Sequence, residues 1–189
     1  MSGLYSPILE QAGFLKPKAA DAEQYVAQSD GATQYWRLSE PVQFPLGYKV
    51  EITFSKANDY FKIFDSNANR FDVTQFNGEV TLRNDTNIYV NGSLSNLTPA
   101  TNTEYVVKFD RTAENTDQSL KEISFIGARF NGVEILSGYV KNFRVYNELD
   151  IVIHEIPLTN KAQGATQLAT VGNINAFMPN YTDAVWRKP

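Results

Sequence analysis

Asp65, Asn67 and Asn69 stand at alternate positions and offer oxygen ligands to Ca²⁺, a hard cation that takes about six to eight of them. The helix-loop-helix calcium pattern fails, because Arg70 stands where glycine is required and Phe76 where the bidentate Glu belongs. Turn chemistry, with Asp and Asn side chains bonding the local backbone, accounts for the same three residues, so both readings stay open. Hydrolysis of a glycosidic bond needs two carboxylates flanking one site. On a strand they must alternate to share a face, but Glu51 is followed on its face by Thr53 and Ser55, and Glu79 by Thr81 and Arg83. Exposed strand charges explain both glutamates. A sugar platform needs at least an exposed ring beside Asn or Arg, which makes Tyr35, Trp36, Tyr60, Arg129 and Asn131 the candidate ligand-binding residues. Each of these rings also suits a sandwich core. The single histidine, His154, lies in the strand-like run Ile151 to Glu155 and reads as a solvent-facing or satisfied residue.

The elements that must position these groups are short strands. Tyr48, Val50, Ile52 and Phe54 alternate with Lys49, Glu51, Thr53 and Ser55 in the cleanest period-two pattern of the chain, and Tyr105, Val107 and Phe109 repeat it. Tyr60 to Phe64, Arg70 to Gln75, Glu79 to Arg83, Asn87 to Asn91 and Asp150 to Ile156 read as further strands, with turns at Asn77-Gly78 and Asn91-Gly92. Glu23 to Gln28 and Thr33 to Ser39 flank Ser29-Asp30-Gly31-Ala32 as an expected hairpin, and Pro41 and Pro45 are expected to end its second strand. From Lys121 to Tyr146 the pattern predicts three strands. The second covers Val133 to Leu136, and the third alternates Val140, Asn142, Arg144 and Tyr146 against Tyr139, Lys141, Phe143 and Val145. Weaker strand signals appear at Thr166 to Val171, Ile174 to Met178 and Ala184 to Trp186. Many short strands with almost no helical periodicity predict an all-β, two-sheet antiparallel sandwich. Residues 1 to 22 mix Pro7 and Pro17 with Ile8, Leu9, Phe14 and Leu15, which predicts an extended N-terminal arm before one domain over residues 23 to 189.

A hydrophobic fraction of 42% supports one sizeable core, and no apolar run approaches the roughly 18 residues of a membrane span. The net charge of −4 lacks the basic stripe of a nucleic-acid binder, and the absence of cysteine removes disulfides and thiolate metal sites. No secretory leader pattern is visible at the start, so the expectation is a protein made in a cytoplasm and released by another route. The Asn-x-Ser/Thr positions at Asn84, Asn91, Asn96 and Asn180 accordingly read as turn and edge residues.

Phe125-Ile126-Gly127-Ala128-Arg129, Phe130-Asn131-Gly132 and the run Gly138 to Asn147 come in an order that resembles the signature of the laminin-G-like, concanavalin A-like jelly roll superfamily. Asp30 to Leu38 resembles the family's entry strand, and Tyr48 to Phe54 and Tyr105 to Asp110 resemble two of its inner strands. The resemblance covers roughly two thirds of the chain. It implies a concanavalin A-like jelly roll. Ile156-Pro157-Leu158 and the polar run after it resemble the endings of bacteriophage virion members, although no Trp precedes Pro157 and Asn173 interrupts the glycine pattern. This resemblance implies a non-catalytic structural or adhesion module of a virion, as a tail-fibre, receptor-binding or head decoration protein. Such a module would form a homo-oligomer, contact other virion proteins and bind host surface polysaccharide. The alternative is a polysaccharide-degrading enzyme. Hydrolases of the superfamily carry Glu-x-Asp-x-x-Glu on one strand, which is absent here. Alginate-lyase-like members carry Tyr-Phe-Lys-x-Gly with a Gln-x-His and an Arg; Tyr60-Phe61-Lys62 matches the first three letters, Phe64 replaces the glycine, and no Gln stands two before His154.

Overall fold

The computed structural model describes residues 25–76, 79–82, 86–111 and 119–189. The expected arm over residues 1 to 22, the Asn77-Gly78 turn and the side chains of Glu79, Thr81 and Arg83 lie outside the described residues. The protein is all-β, and its strands form two antiparallel sheets. The first sheet runs in the order β15 (Trp186–Arg187), β1 (Val26–Asp30), β11 (Ser137–Tyr146), β3 (Lys49–Lys56), β9 (Glu104–Asp110), β7 (Asn87–Val90) and β8 (Ser93–Leu94), with β12 (Val152–Ile156) also paired to β11. The second runs β13 (Thr166–Gln167), β14 (Ala176–Phe177), β2 (Trp36–Phe44), β10 (Lys121–Ile126), β4 (Phe61–Asp65), β5 (Val73–Phe76) and β6 (Glu79–Leu82). Among the described residues no helix is long and apolar enough to cross a membrane.

The inner faces meet in one apolar core. Val50, Ile52 and Phe54 of β3 and Val107 and Phe109 of β9 point inward, as their alternation predicts. From the second sheet Trp36, Leu38, Val42, Phe44, Phe61, Phe64 and Ile123 meet them. Phe64 joins the layers, with its ring centroid 5.6 Å from Phe109 and 6.0 Å from Phe143 of the first sheet and 6.2 Å from Phe71. Edge-to-face rings at such spacings add attraction beyond their area burial. Phe125 is buried but stands apart from this cluster, against Tyr35 at 6.1 Å and under the Arg37 guanidinium at 5.8 Å.

Several sequence expectations are corrected. β1 and β2 are not a hairpin, because β1 pairs with β11 and β15 in the first sheet while β2 pairs with β10 and β14 in the second. The Asp30 carboxylate accepts the backbone N–H groups of Ala32, Thr33 and Gln34 at 2.8, 2.8 and 3.3 Å, which makes this turn a corner between layers. β2 also runs through Pro41 to Phe44. Between the pairs Phe125↔Arg37 and Ile123↔Val42 the strand bulges outward, so the ladder needs no N–H from Pro41. Val133 to Leu136 is no strand: residues 127–136 form the crossover from β10 in the second sheet to β11 in the first. Finally, β11 does not alternate strictly. Asn142, at φ 57°, is an extra residue between Lys141↔Thr53 and Arg144↔Glu51, and beyond it Phe143 and Val145 face inward while Arg144 and Tyr146 face outward.

Gly138 lets β11 lie this close to β3. It sits at φ 142°, and a Cβ there would stand 2.0 Å from the Ser55 carbonyl oxygen.

Candidate functional site

The register of the first sheet builds rows of side chains across its outer face. Arg144 of β11 lies opposite Glu51 of β3, Glu51 opposite Lys108 of β9, and Lys108 opposite Tyr89 of β7. One step along, Tyr146, Lys49 and Asp110 form the adjoining row. Together with Gly92, Val106 and Asp150, all of these groups except Arg144 line a groove of about 500 Å³. The tight turn at Asn91-Gly92, with φ 49° and 84°, joins β7 to β8 and closes one side of it.

The polar groups in the groove hold each other in place. Glu51 accepts hydrogen bonds from Arg144 Nη1 at 3.3 Å and from the Tyr146 hydroxyl at 3.2 Å, and Lys108 Nζ stands 3.7 Å from its second oxygen. Lys108 also lies 4.5 Å from the Tyr146 ring centroid, and Arg144 reaches back to Glu155 at 2.6 Å. Burial, and then the Glu51 charge, push the Tyr146 hydroxyl up. Lys49 donates to Asp150 at 2.6 Å, which raises the lysine and holds the exposed Asp150 carboxyl down. Asp110 differs: burial pushes its carboxyl up against the opposing pull of Lys49 and Lys108. The groove therefore presents a tyrosine ring at Tyr89, hydroxyl and amine donors, and carboxylate acceptors, all on a rigid sheet face.

Most of the residues singled out from sequence gather elsewhere, under the 127–136 crossover on the second sheet. Tyr60 is 47% exposed, and the carboxylate of Glu134 beside it pushes its hydroxyl up. Arg129 donates to Glu134 at 2.9 Å, and its guanidinium lies 5.7 Å from the Phe130 ring, which Arg70 approaches from 5.2 Å. Asn131 is exposed at the tip of the crossover. Tyr35 is half-buried beside Gly132 and Phe125. Trp36 is 2% exposed and packs in the core, so its ring is no surface platform.

Asp65 is fully buried and its oxygens are occupied. Arg70 donates to both at 2.6 and 2.8 Å, Ser66 N to one at 2.8 Å and Phe130 N to the other at 3.0 Å. Asn67 and Asn69 are exposed, and Asn69 takes φ 46°, as a turn residue does. Among the described residues no three His, Asp or Glu side chains stand close enough to hold a metal ion. His154 lies on β12 in the first sheet, whereas Tyr60 and Arg129 flank the second, so the three do not form one site. Burial pushes the His154 imidazole down, and its Nδ1 is buried without a hydrogen-bond partner among the described residues.

The groove itself was not read from sequence. Its lining residues lie on four strands far apart in the chain, and Tyr146, like the Arg144 that holds Glu51, reaches this face only through the bulge at Asn142. No family model matches the chain, and neither does any curated protein or solved structure.

Proposed function

We propose that this chain is a non-catalytic adhesion or structural module of a bacteriophage particle, folded as a concanavalin A-like jelly roll, whose first-sheet groove binds host surface carbohydrate. The observation that carries the binding reading is the groove, where Tyr89 supplies an apolar ring next to Glu51, Lys108, Tyr146 and Asp110. Neutral sugars need this combination of a ring to stack on and fixed donors and acceptors for their hydroxyls. The phage setting rests on the sequence resemblance, and partners there would be other virion proteins and further copies of this chain. Calcium has no role in this reading, because the oxygens of Asp65 are taken by Arg70 and by backbone N–H groups.

The test is titration of the protein against a panel of bacterial capsule and cell-wall polysaccharides. Tyr89→Ala and Glu51→Gln should each weaken binding at least about tenfold, a loss of about 1.4 kcal/mol, while Tyr60→Ala on the other sheet leaves it unchanged. Binding that ignores both groove substitutions would remove the groove from the reading. A second reading, polysaccharide hydrolysis, is favoured by one observation: Asp110 has its carboxyl pushed up by burial on the same face as Glu51. Prolonged incubation with laminarin, alginate and capsule separates the two, since oligosaccharide release that disappears in Asp110→Asn would replace binding with catalysis.

A further inference from the structure

Lys62 on β4 and Asp72, the residue just before β5, are almost completely buried charges, with side chains 7% and 6% exposed. Lys62 leaves β4 on the face opposite Phe61 and lies directly across from Thr74 of β5, just beyond Asp72. Its Nζ is 2.6 Å from Asp72 Oδ1 and in contact with the Thr74 hydroxyl, which itself donates to Oδ1 at 2.8 Å. Arg70 Nη2 stands 3.4 Å from the other oxygen, Oδ2. A second carboxylate completes the set: Glu134 Oε2 is 3.8 Å from Nζ and buried without a hydrogen-bond partner among the described residues.

The crossover is fastened to hold Glu134 there. Lys62 N donates to Glu134 O at 2.9 Å, so the backbone of the one residue fixes the other. Glu134 takes φ 53°, a left-handed conformation that a non-glycine residue adopts only when its surroundings impose it. Asn58 anchors the next residues, donating to Ile135 O at 2.9 Å and accepting from Ser137 N at 3.0 Å. Arg129 holds the other Glu134 oxygen at 2.9 Å, leaving Oε2 directed at the amine. An ordinary ion pair needs neither a second carboxylate that turns a buried oxygen toward the amine nor a strained residue to present it.

We propose that Lys62 and Asp72 condense within the folded protein to an amide joining β4 to β5, with Glu134 as the proton carrier. Nζ passes one proton by way of Glu134 Oε2 to Asp72 Oδ1, and the lone pair it keeps attacks Cγ of the carboxyl so neutralised. Negative charge gathers on Oδ2, beside Arg70. The bond from Cγ to Oδ1 then breaks as Oδ1, which already carries the first proton, takes a second from Nζ through Glu134 and leaves as water. Glu134 is regenerated, the charges of Lys62 and Asp72 cancel, and no oxidant or cofactor enters. Two groups held in contact away from bulk water react with effective concentrations far above any achieved in solution, which is the condition such a condensation requires.

The test is mass spectrometry of the full-length protein after folding, incubation at neutral pH and denaturation. The intact mass should be one water below that of the sequence, and a digest should contain a branched peptide linking the segment that carries Lys62 to the one that carries Asp72. Lys62→Arg and Asp72→Ala should both restore the full mass. Glu134→Gln, confirmed as folded by circular dichroism, should restore it too, because the proton carrier is gone while the other two groups stay. A wild-type protein that is folded and retains its full mass after long incubation overturns the proposal, and a Glu134→Gln protein that still loses water overturns the role of Glu134.

Discussion

Phe64 is the residue whose truncation should do most damage, because its ring meets two rings of the opposite sheet, Phe109 and Phe143, as well as Phe71. Its side chain is fully buried and its centroid lies about 6 Å from Phe71, Phe109 and Phe143. Phe64→Ala removes the ring and leaves a space that the facing rings cannot fill, since Phe109 and Phe143 are held by separate strands of the opposite sheet. Lost burial plus the residual cavity cost about 3–5 kcal/mol for a buried Phe. A domain of this length loses about 2–4 °C of Tm per kcal/mol, so the melting temperature should fall by about 6–20 °C. Urea titration followed by tryptophan fluorescence should show a lower midpoint with an unchanged slope. The control is Leu149→Ala at a 72% exposed site, expected within about 0.5 kcal/mol of the parent. A Phe64→Ala loss below about 1 kcal/mol, or one equal to the control, would refute the description of Phe64 as the tie between the layers.

Gly138→Ala should cost at least about 2 kcal/mol in the same titration, because the new Cβ would stand 2.0 Å from Ser55 O at φ 142° and two paired strands would have to separate. Asp65→Asn breaks the bidentate pair with Arg70 and leaves a guanidinium beside a buried amide; about 3 kcal/mol of destabilisation is expected, and a neutral result would show that the pair is dispensable. The pH dependence comes from His154, whose folded pKa is depressed by burial against the weaker opposing charge of Glu40. A depressed folded pKa means stability that is present above the ordinary value of 6.5 and lost as pH falls towards the folded value, so Tm should begin to decline below pH 6.5 and His154→Asn should flatten that decline. Parallel Tm profiles for the two proteins between pH 6.5 and about 5 would show that His154 is not the group responsible.

Much of the fold was legible because a half-buried strand announces itself by alternation, as β3 and β9 do, and because Asn91-Gly92 can hardly be anything but a tight turn. Alternation says nothing about which sheet a strand joins. Glu23 to Gln28 and Thr33 to Ser39 thus read as a hairpin, although β1 and β2 lie in opposite layers, and Val133 to Leu136 reads as a strand although it only crosses between them. The bulge at Asn142 was invisible for a related reason: one extra residue inverts the facing of everything after it, and Asn tolerates the left-handed backbone without the signal that a glycine would give. Tyr60, Arg129 and Asp65 were noticed individually, but the polar set they join depends on Glu134, whose position comes from the crossover and from no local pattern. The groove was further still from sequence, being a product of register between four strands.

The short strands at the margins of both sheets bear on how many copies can be crowded together safely. β15 and β8 bound the first sheet and β13 bounds one side of the second, each only two residues long. The longer β12 is shielded, since Thr170 and Val171 donate to Glu155 O at 2.9 and 3.5 Å and Glu155 N donates back to Val171 O at 3.1 Å. The other border of the second sheet is the four-residue β6, where Val80 N donates to Leu97 O at 3.0 Å, so among the described residues a neighbouring copy finds only short runs of peptide groups on which to lay a strand. Repeated display at high local density is then compatible with a protein that stays discrete, and contacts between copies must be made side chain to side chain, through the sheet faces and the loops at the ends of the sandwich.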